Sequence, residues 1–143
     1  MSTSPGILII GAGQAGTSAA EALRAGGFAD PITLLGDEPF GPYHRPPLSK
    51  AWLAGEMDAA ALVMRAPDLL AKKGITLLTG ARAQAIDRAA KTVRLDGGET
   101  LAYAGLVLAT GARPRLLAVP GAAAPNVHAL RTIADAQALA ADL

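Results

Sequence analysis

The run Ile7-Leu8-Ile9-Ile10-Gly11-Ala12-Gly13-Gln14-Ala15-Gly16 decides how the rest of the chain is read. Four consecutive β-branched or leucine residues predict a strand buried on both faces, the kind found in parallel sheets. Behind it Gly11, Gly13 and Gly16 form the spacing G-x-G-x-x-G. From Gln14 to about Ala25, Ala and Leu then alternate with Ser18, Glu21 and Arg24 at helical spacing until the pair Gly26-Gly27 ends the segment. Strand character returns over 31–35, which closes a β-α-β unit and predicts parallel pairing.

Each glycine of the turn has a physical reason. Gly11 makes the tight turn, Gly13 lets a pyrophosphate come close to the backbone, and Gly16 lets the helix lie close on the strand. Free N–H groups and the positive end of the helix would hold the pyrophosphate charge. Gly16 is followed by Thr17-Ser18 rather than by Lys-Ser or Lys-Thr, which separates the turn from a mononucleotide P-loop. A dinucleotide site also wants a carboxylate about 20 residues further on, to accept the adenosine ribose hydroxyls. Asp37 stands 21 positions after Gly16 with Glu38 beside it, and either can serve. A carboxylate there favours FAD or NAD over NADP, whose 2′-phosphate it would repel.

Outward from this unit, residues 36–47 are so rich in Gly and Pro that they predict a long stiffened loop, and such loops tend to carry function. A short helix is expected from Leu48 or Ser49, a helix over 67–73 and a strand over 75–78. Residues 83–87, 92–95 and 100–103 read as three short strands, the last two joined at Asp96-Gly97-Gly98, a hairpin signal. Residues 105–109 return to the buried parallel type, a Pro- and Ala-rich linker leads on to about 125, and 132–143 read as a helix. The expected fold class is α/β, a Rossmann-like parallel sheet with an antiparallel three-stranded insert. Residues 1–115 are expected to form its dinucleotide-binding domain, and 116–143 a linker and helix.

Composition narrows the chemistry. The 143 residues are 51% apolar and 17% charged with a net charge of +1, which suits a folded domain and offers no basic stripe for nucleic acid and no polybasic membrane anchor. With no cysteine there can be no disulfide, no thiol nucleophile and no Cys-ligated metal. His44 and His128 are the two histidines, 84 positions apart and without ligand spacing, so each reads as a surface side chain and no metal site is expected. Residues 1–20 lack charge, but their apolar run is four residues long and glycines at 11, 13 and 16 break the stretch after it. They predict neither a signal peptide nor a membrane span, and the expected location is the cytoplasm.

The loop Pro42-Tyr43-His44-Arg45-Pro46-Pro47-Leu48-Ser49-Lys50 closely resembles the hallmark loop of the FAD-dependent ferredoxin and rubredoxin reductases, within the pyridine nucleotide-disulphide oxidoreductase superfamily. A cation near a flavin raises affinity and tunes its potential. The resemblance implies Lys50 beside the reactive edge of the flavin, as the catalytic residue, with Arg45 and Pro46 contacting the cofactor nearby. Pro46-Pro47 is expected to hold this stretch extended. By the same resemblance Ala15 offers its backbone to the pyrophosphate and Ala83 holds the adenine through main-chain groups. Ala109-Thr110-Gly111 matches the turn where the chain leaves the FAD domain, and Arg131 the arginine near the flavin. The implied activity carries electrons from NADH through FAD to a ferredoxin- or rubredoxin-type acceptor. The resemblance covers nearly all of this chain but the N-terminal third or so of the family's usual length; it implies that 1–115 is the N-terminal part of the FAD-binding domain and that 116–143 leads toward a missing NAD-binding domain, so a fragment unable to complete the reaction alone is expected. Two other readings are a non-catalytic NAD- or FAD-binding sensor module and an FAD-binding interaction protein.

Overall fold

The computed structural model describes residues 4–143. They fall into two compact units, one made of residues up to Tyr43 together with Met64–Gly111, the other of His44–Val63 and Ala112–Leu143.

The first unit is built on a parallel sheet of four strands in the order β3-β2-β1-β4, where β1 is Ile7–Ile10, β2 Ile32–Leu35, β3 Ile75–Leu78 and β4 Gly105–Leu108. Ile7 pairs with Ile32 on one side and with Gly105 on the other, so β1 is central and its unbroken apolar run is explained. Successive side chains point to opposite faces. Ile9 and Leu34 join Ala20 of helix α1 (Gln14–Ala25) and Leu70 of helix α2 (Pro67–Lys72) in one core. Leu8, Ile10 and Leu35 join Val93, Leu95 and Tyr103 in a second. Val93 and Leu95 belong to an antiparallel sheet of β5 (Ala83–Asp87), β6 (Thr92–Leu95) and β7 (Thr100–Ala102), Tyr103 directly follows β7, and this sheet covers the other face. Helix, parallel sheet and antiparallel sheet thus form three layers, the expected fold class.

Two polar clips hold α1 in place. Arg24 near its end donates from Nε to the Lys73 carbonyl at 2.9 Å and from Nη1 to the Asp30 carbonyl at 2.8 Å, tying together the loops before β3 and β2. Glu21 accepts from Arg65 Nε at 2.9 Å and from Lys73 Nζ.

In the second unit, residues Pro46–Ser49 form a 3-10 turn, one-turn helix α3 spans Ala59–Leu62, and helix α4 spans Ile133–Ala141 against the 3-10 turn. Three expectations change here. The short helix starts at Pro46 rather than at Leu48 or Ser49, and the double proline is wound rather than extended. Proline's fixed φ suits the first turn of a helix as well as an extended chain. The last helix stops at Ala141, and α3 was not foreseen: its Ala59-Ala60-Ala61-Leu62 has no apolar period, and it exists through the Asp58 carboxylate, which accepts from the Ala61 N–H at 2.8 Å.

Among the described residues no helix is long and apolar enough to cross a membrane.

Candidate functional site

In parallel α/β sheets ligands bind beyond the carboxyl ends of the strands. In the first unit those ends converge on Gly11. Its N–H donates to the Leu35 carbonyl at 2.7 Å, its φ is +114°, and a Cβ there would stand 2.1 Å from the Ala109 carbonyl oxygen. Gly16 is as constrained: a Cβ would lie 1.8 Å from the Gly11 carbonyl oxygen and 3.2 Å from Ile9 Cγ2, so α1 rests directly on the turn and the strand. Gly13 is the opposite case. It is the N-cap of α1 with no capping side chain, and a Cβ would meet nothing within 4 Å. The first N–H groups of α1, Ala15 included, have no partner within the helix and stand at its positive end. This open, uncapped terminus fits a pyrophosphate.

After β2 the chain turns through Gly36, Asp37 and Glu38. The Gly80 N–H donates to the Glu38 carbonyl at 2.9 Å and the Ala81 N–H to the Gly36 carbonyl at 3.1 Å, which ties the start of the antiparallel sheet to this turn. The two carboxylates differ. Asp37 is exposed at the end of β2, whereas Glu38 Oε2 accepts from the Tyr43 hydroxyl at 2.6 Å, with Tyr43 itself buried. Ala83, two residues past Ala81, is half-buried, packs on the core and pairs with Leu95 at the start of β5. The Ala109 N–H donates to the Ile10 carbonyl at 2.8 Å, so Ala109 shapes the floor under Gly11, while Thr110 and Gly111 are exposed.

In the second unit Arg45 starts the 3-10 turn and Lys50 ends it. The Leu48 N–H donates to the Arg45 carbonyl at 3.0 Å and the Lys50 N–H to the Pro47 carbonyl at 2.9 Å. Leu48, 2% exposed, anchors the turn and leaves Lys50 exposed at its end. Arg45 donates from Nη1 to the Arg131 carbonyl at 2.8 Å. Arg45, Pro46, Leu48, Ser49, Leu130 and Arg131 line a cleft of about 270 Å³. Arg45, Pro46 and Arg131 are thereby brought together across a long stretch of sequence, and Lys50 stands outside that lining.

Two contacts in this region escaped sequence reasoning. The hold of the Tyr43 hydroxyl on the Glu38 carboxylate is not a contact that spacing reveals. Asp135 accepts from the N–H groups of Arg131 at 3.0 Å and Thr132 at 2.7 Å, and Thr132 Oγ1 accepts from the Asp135 N–H at 3.2 Å. Thr132-Ile133-Ala134-Asp135 has capping-box spacing, with Asp in place of the usual Glu or Gln, and that signal was readable. Partial burial pushes the Asp135 carboxyl up. The hydrogen bonds from Thr132 and Arg131, with the nearby Arg45 charge, outweigh this and hold it below the ordinary carboxylate value. His128 is also more than a surface side chain: its Nε2 lies 2.6 Å from Asp142 Oδ2.

Comparison with known proteins points to one family. A family model described as pyridine nucleotide-disulphide oxidoreductase matches residues 5–143. A probable ferredoxin reductase of Castellaniella defragrans is 49% identical over 141 residues, covering 99% of this chain and 34% of that protein. Rhodocoxin reductase of Rhodococcus erythropolis is 49% identical over 137 residues, covering 96% of this chain and 32% of that protein. Among solved structures, a ferredoxin reductase from Rhodopseudomonas palustris superposes with a TM-score of 0.90 at 40% identity, over 96% of this chain and 34% of that one. The chain thus spans about a third of the length of the relatives it matches. A match running from residue 5 to the last residue, with near half-identity to reductases of one kind, leads to one conclusion: the chain belongs to the pyridine nucleotide-disulphide oxidoreductase family.

Proposed function

We propose that this chain is the FAD-binding part of an NADH-dependent ferredoxin or rubredoxin reductase. The observation that carries the reading is the uncapped terminus of α1 over the open Gly13, with Asp37 at the end of the next strand, in a chain whose relatives bear ferredoxin-reductase names. In this reading the first N–H groups of α1, with Gly11, Gly13, Ala15 and Gly16, receive the pyrophosphate. Asp37 accepts from the ribose hydroxyls, and Glu38, steadied by Tyr43, stands beside it. The main chain at Ala83 meets the adenine, and Ala109, Thr110 and Gly111 border the glycine turn. Arg45, Pro46, Lys50 and Arg131 serve the flavin end, where positive charge favours the electron-rich form. Bound FAD would accept a hydride from NADH and pass electrons singly to a small iron–sulfur protein of ferredoxin or rubredoxin type. A cytoplasmic location, where NADH is produced, goes with this reading.

The purified protein is expected to be yellow and to release FAD on heating. A colourless protein that takes up no added FAD would overturn the assignment. Lys50→Met is expected to weaken FAD binding about 10-fold, or to slow hydride transfer in the complete reductase to a similar degree. Unchanged flavin content together with unchanged hydride transfer would remove Lys50 from the site.

A further inference from the structure

Arg131 is held through both of its peptide groups. Asp135 Oδ2 accepts from its N–H at 3.0 Å and, at 2.7 Å, from the N–H of Thr132. On the other side Arg45 Nη1 donates to its carbonyl at 2.8 Å. Both arginines line the cleft of about 270 Å³, and Asp135 does not. An acid in the first turn of α4 and a base ahead of the 3-10 turn therefore grip one arginine from opposite ends of its backbone. The carboxylate also supplies negative charge near Arg45, which lines the same cleft as Arg131.

We infer that Asp135 is a positioning residue for the flavin-side cleft, fixing the backbone from which the Arg131 side chain starts and offsetting part of the charge that Arg45 and Arg131 bring there. The inference deepens the FAD reading proposed above and rests on it. Its physical content separates into two parts. The position of Arg131 depends on an acceptor oxygen at residue 135, which asparagine keeps and alanine lacks. The charge balance depends on the carboxylate, which both lack. A residue that only capped α4 would alter helix stability and leave the cofactor's potential where it was.

The test compares the protein with Asp135→Asn and Asp135→Ala, by FAD titration followed through flavin fluorescence and by redox titration of the bound flavin against a dye of known potential. The unsubstituted protein is expected to bind FAD, and Asp135→Asn to bind it within about threefold of that affinity. With one negative charge removed beside two arginines, Asp135→Asn should favour the reduced cofactor, shifting the ratio of reduced to oxidised form about threefold at a fixed dye potential. Asp135→Ala should bind FAD about 10-fold more weakly, because Arg131 is no longer held. An unshifted potential in Asp135→Asn overturns the inference, as does full FAD affinity in a folded Asp135→Ala. If Asp135→Ala does not fold, the potential of Asp135→Asn decides alone. Failure of the unsubstituted protein to take FAD overturns this inference together with the FAD reading, and is told apart because it appears before any substitution is made.

Discussion

A single methyl group distinguishes the jobs of two glycines. Gly16→Ala would place its Cβ 1.8 Å from the Gly11 carbonyl oxygen, which is backbone and can give only if α1 lifts from β1. A loss of about 3 kcal/mol is expected, with FAD binding lost through the fold. Gly13→Ala meets nothing within 4 Å, and its φ of −82° is open to any residue. It should cost under about 1 kcal/mol, as alanine is a poorer N-cap than glycine. The methyl would nevertheless stand where a pyrophosphate must approach, so FAD affinity should fall about 10-fold or more. Melting curves and FAD titrations of the pair check this; full affinity in Gly13→Ala would move the pyrophosphate elsewhere. Thr17, one turn into α1, has a different liability: its hydroxyl is buried without a hydrogen-bond partner. Thr17→Val keeps the shape and removes the orphaned group, so it should stabilise by about 1 kcal/mol, seen as a higher melting temperature. A lower one would mean that the hydroxyl has a partner in solution.

Between elements, the Glu21 clip carries a pH signature. Hydrogen bonds from Arg65, and then from Lys73, hold its carboxyl below the ordinary value of 4.5, against a smaller opposing push from burial. The depressed carboxylate stabilises α1 above that ordinary value, and the stabilisation is lost as pH falls through the folded value. Glu21 is 19% exposed, but Arg65 and Lys73 are 45% and 49% exposed, so the network is worth about 0.5 kcal/mol after solvent screening. Glu21→Gln should therefore melt slightly below the unsubstituted protein at neutral pH, and the two should converge as pH falls below the folded value of Glu21, where both side chains are neutral. A gap that persists in acid would show that packing, not charge, is responsible. Elements with chemical borders were legible in the sequence: α1 lies between Gly13 and Gly26, and β1 to β3 are apolar runs between turns. Helix α3 and the winding of Pro46-Pro47 were not. The first depends on one capping carboxylate, and the second on the burial of Leu48 and the tie from Arg45 to Arg131, neither of which is local.

Over the whole molecule, the legible part of the site was the part whose chemistry is local. The glycine spacing and the carboxylate after β2 describe backbone shape and charge within one β-α-β unit, and the first unit places them together. The grip on Arg131 joins residues 86 positions apart, and the tie from Tyr43 to Glu38 turns on a side-chain rotamer; spacing encodes neither. The glycine turn with Asp37 belongs to the first unit, and Arg45, Lys50 and Arg131 to the second. ADP carries a ribose and a pyrophosphate but no flavin, so it separates the two sets of residues. FAD present at about 100 times its dissociation constant adds about 2.7 kcal/mol of stability, or roughly 8 °C in melting temperature for a chain of this size. ADP at the same concentration should add less, because it lacks the contacts assigned to the second unit. Hydrogen exchange should then show FAD slowing the first-turn amides of α1 together with those around Lys50 and Arg131, while ADP slows the first group alone. The comparison is internal, since a gain confined to the glycine turn under both ligands would mean that the second unit does not hold the flavin. In that event a nucleotide-binding module without flavin chemistry would become the better reading of the chain, whatever its relatives do.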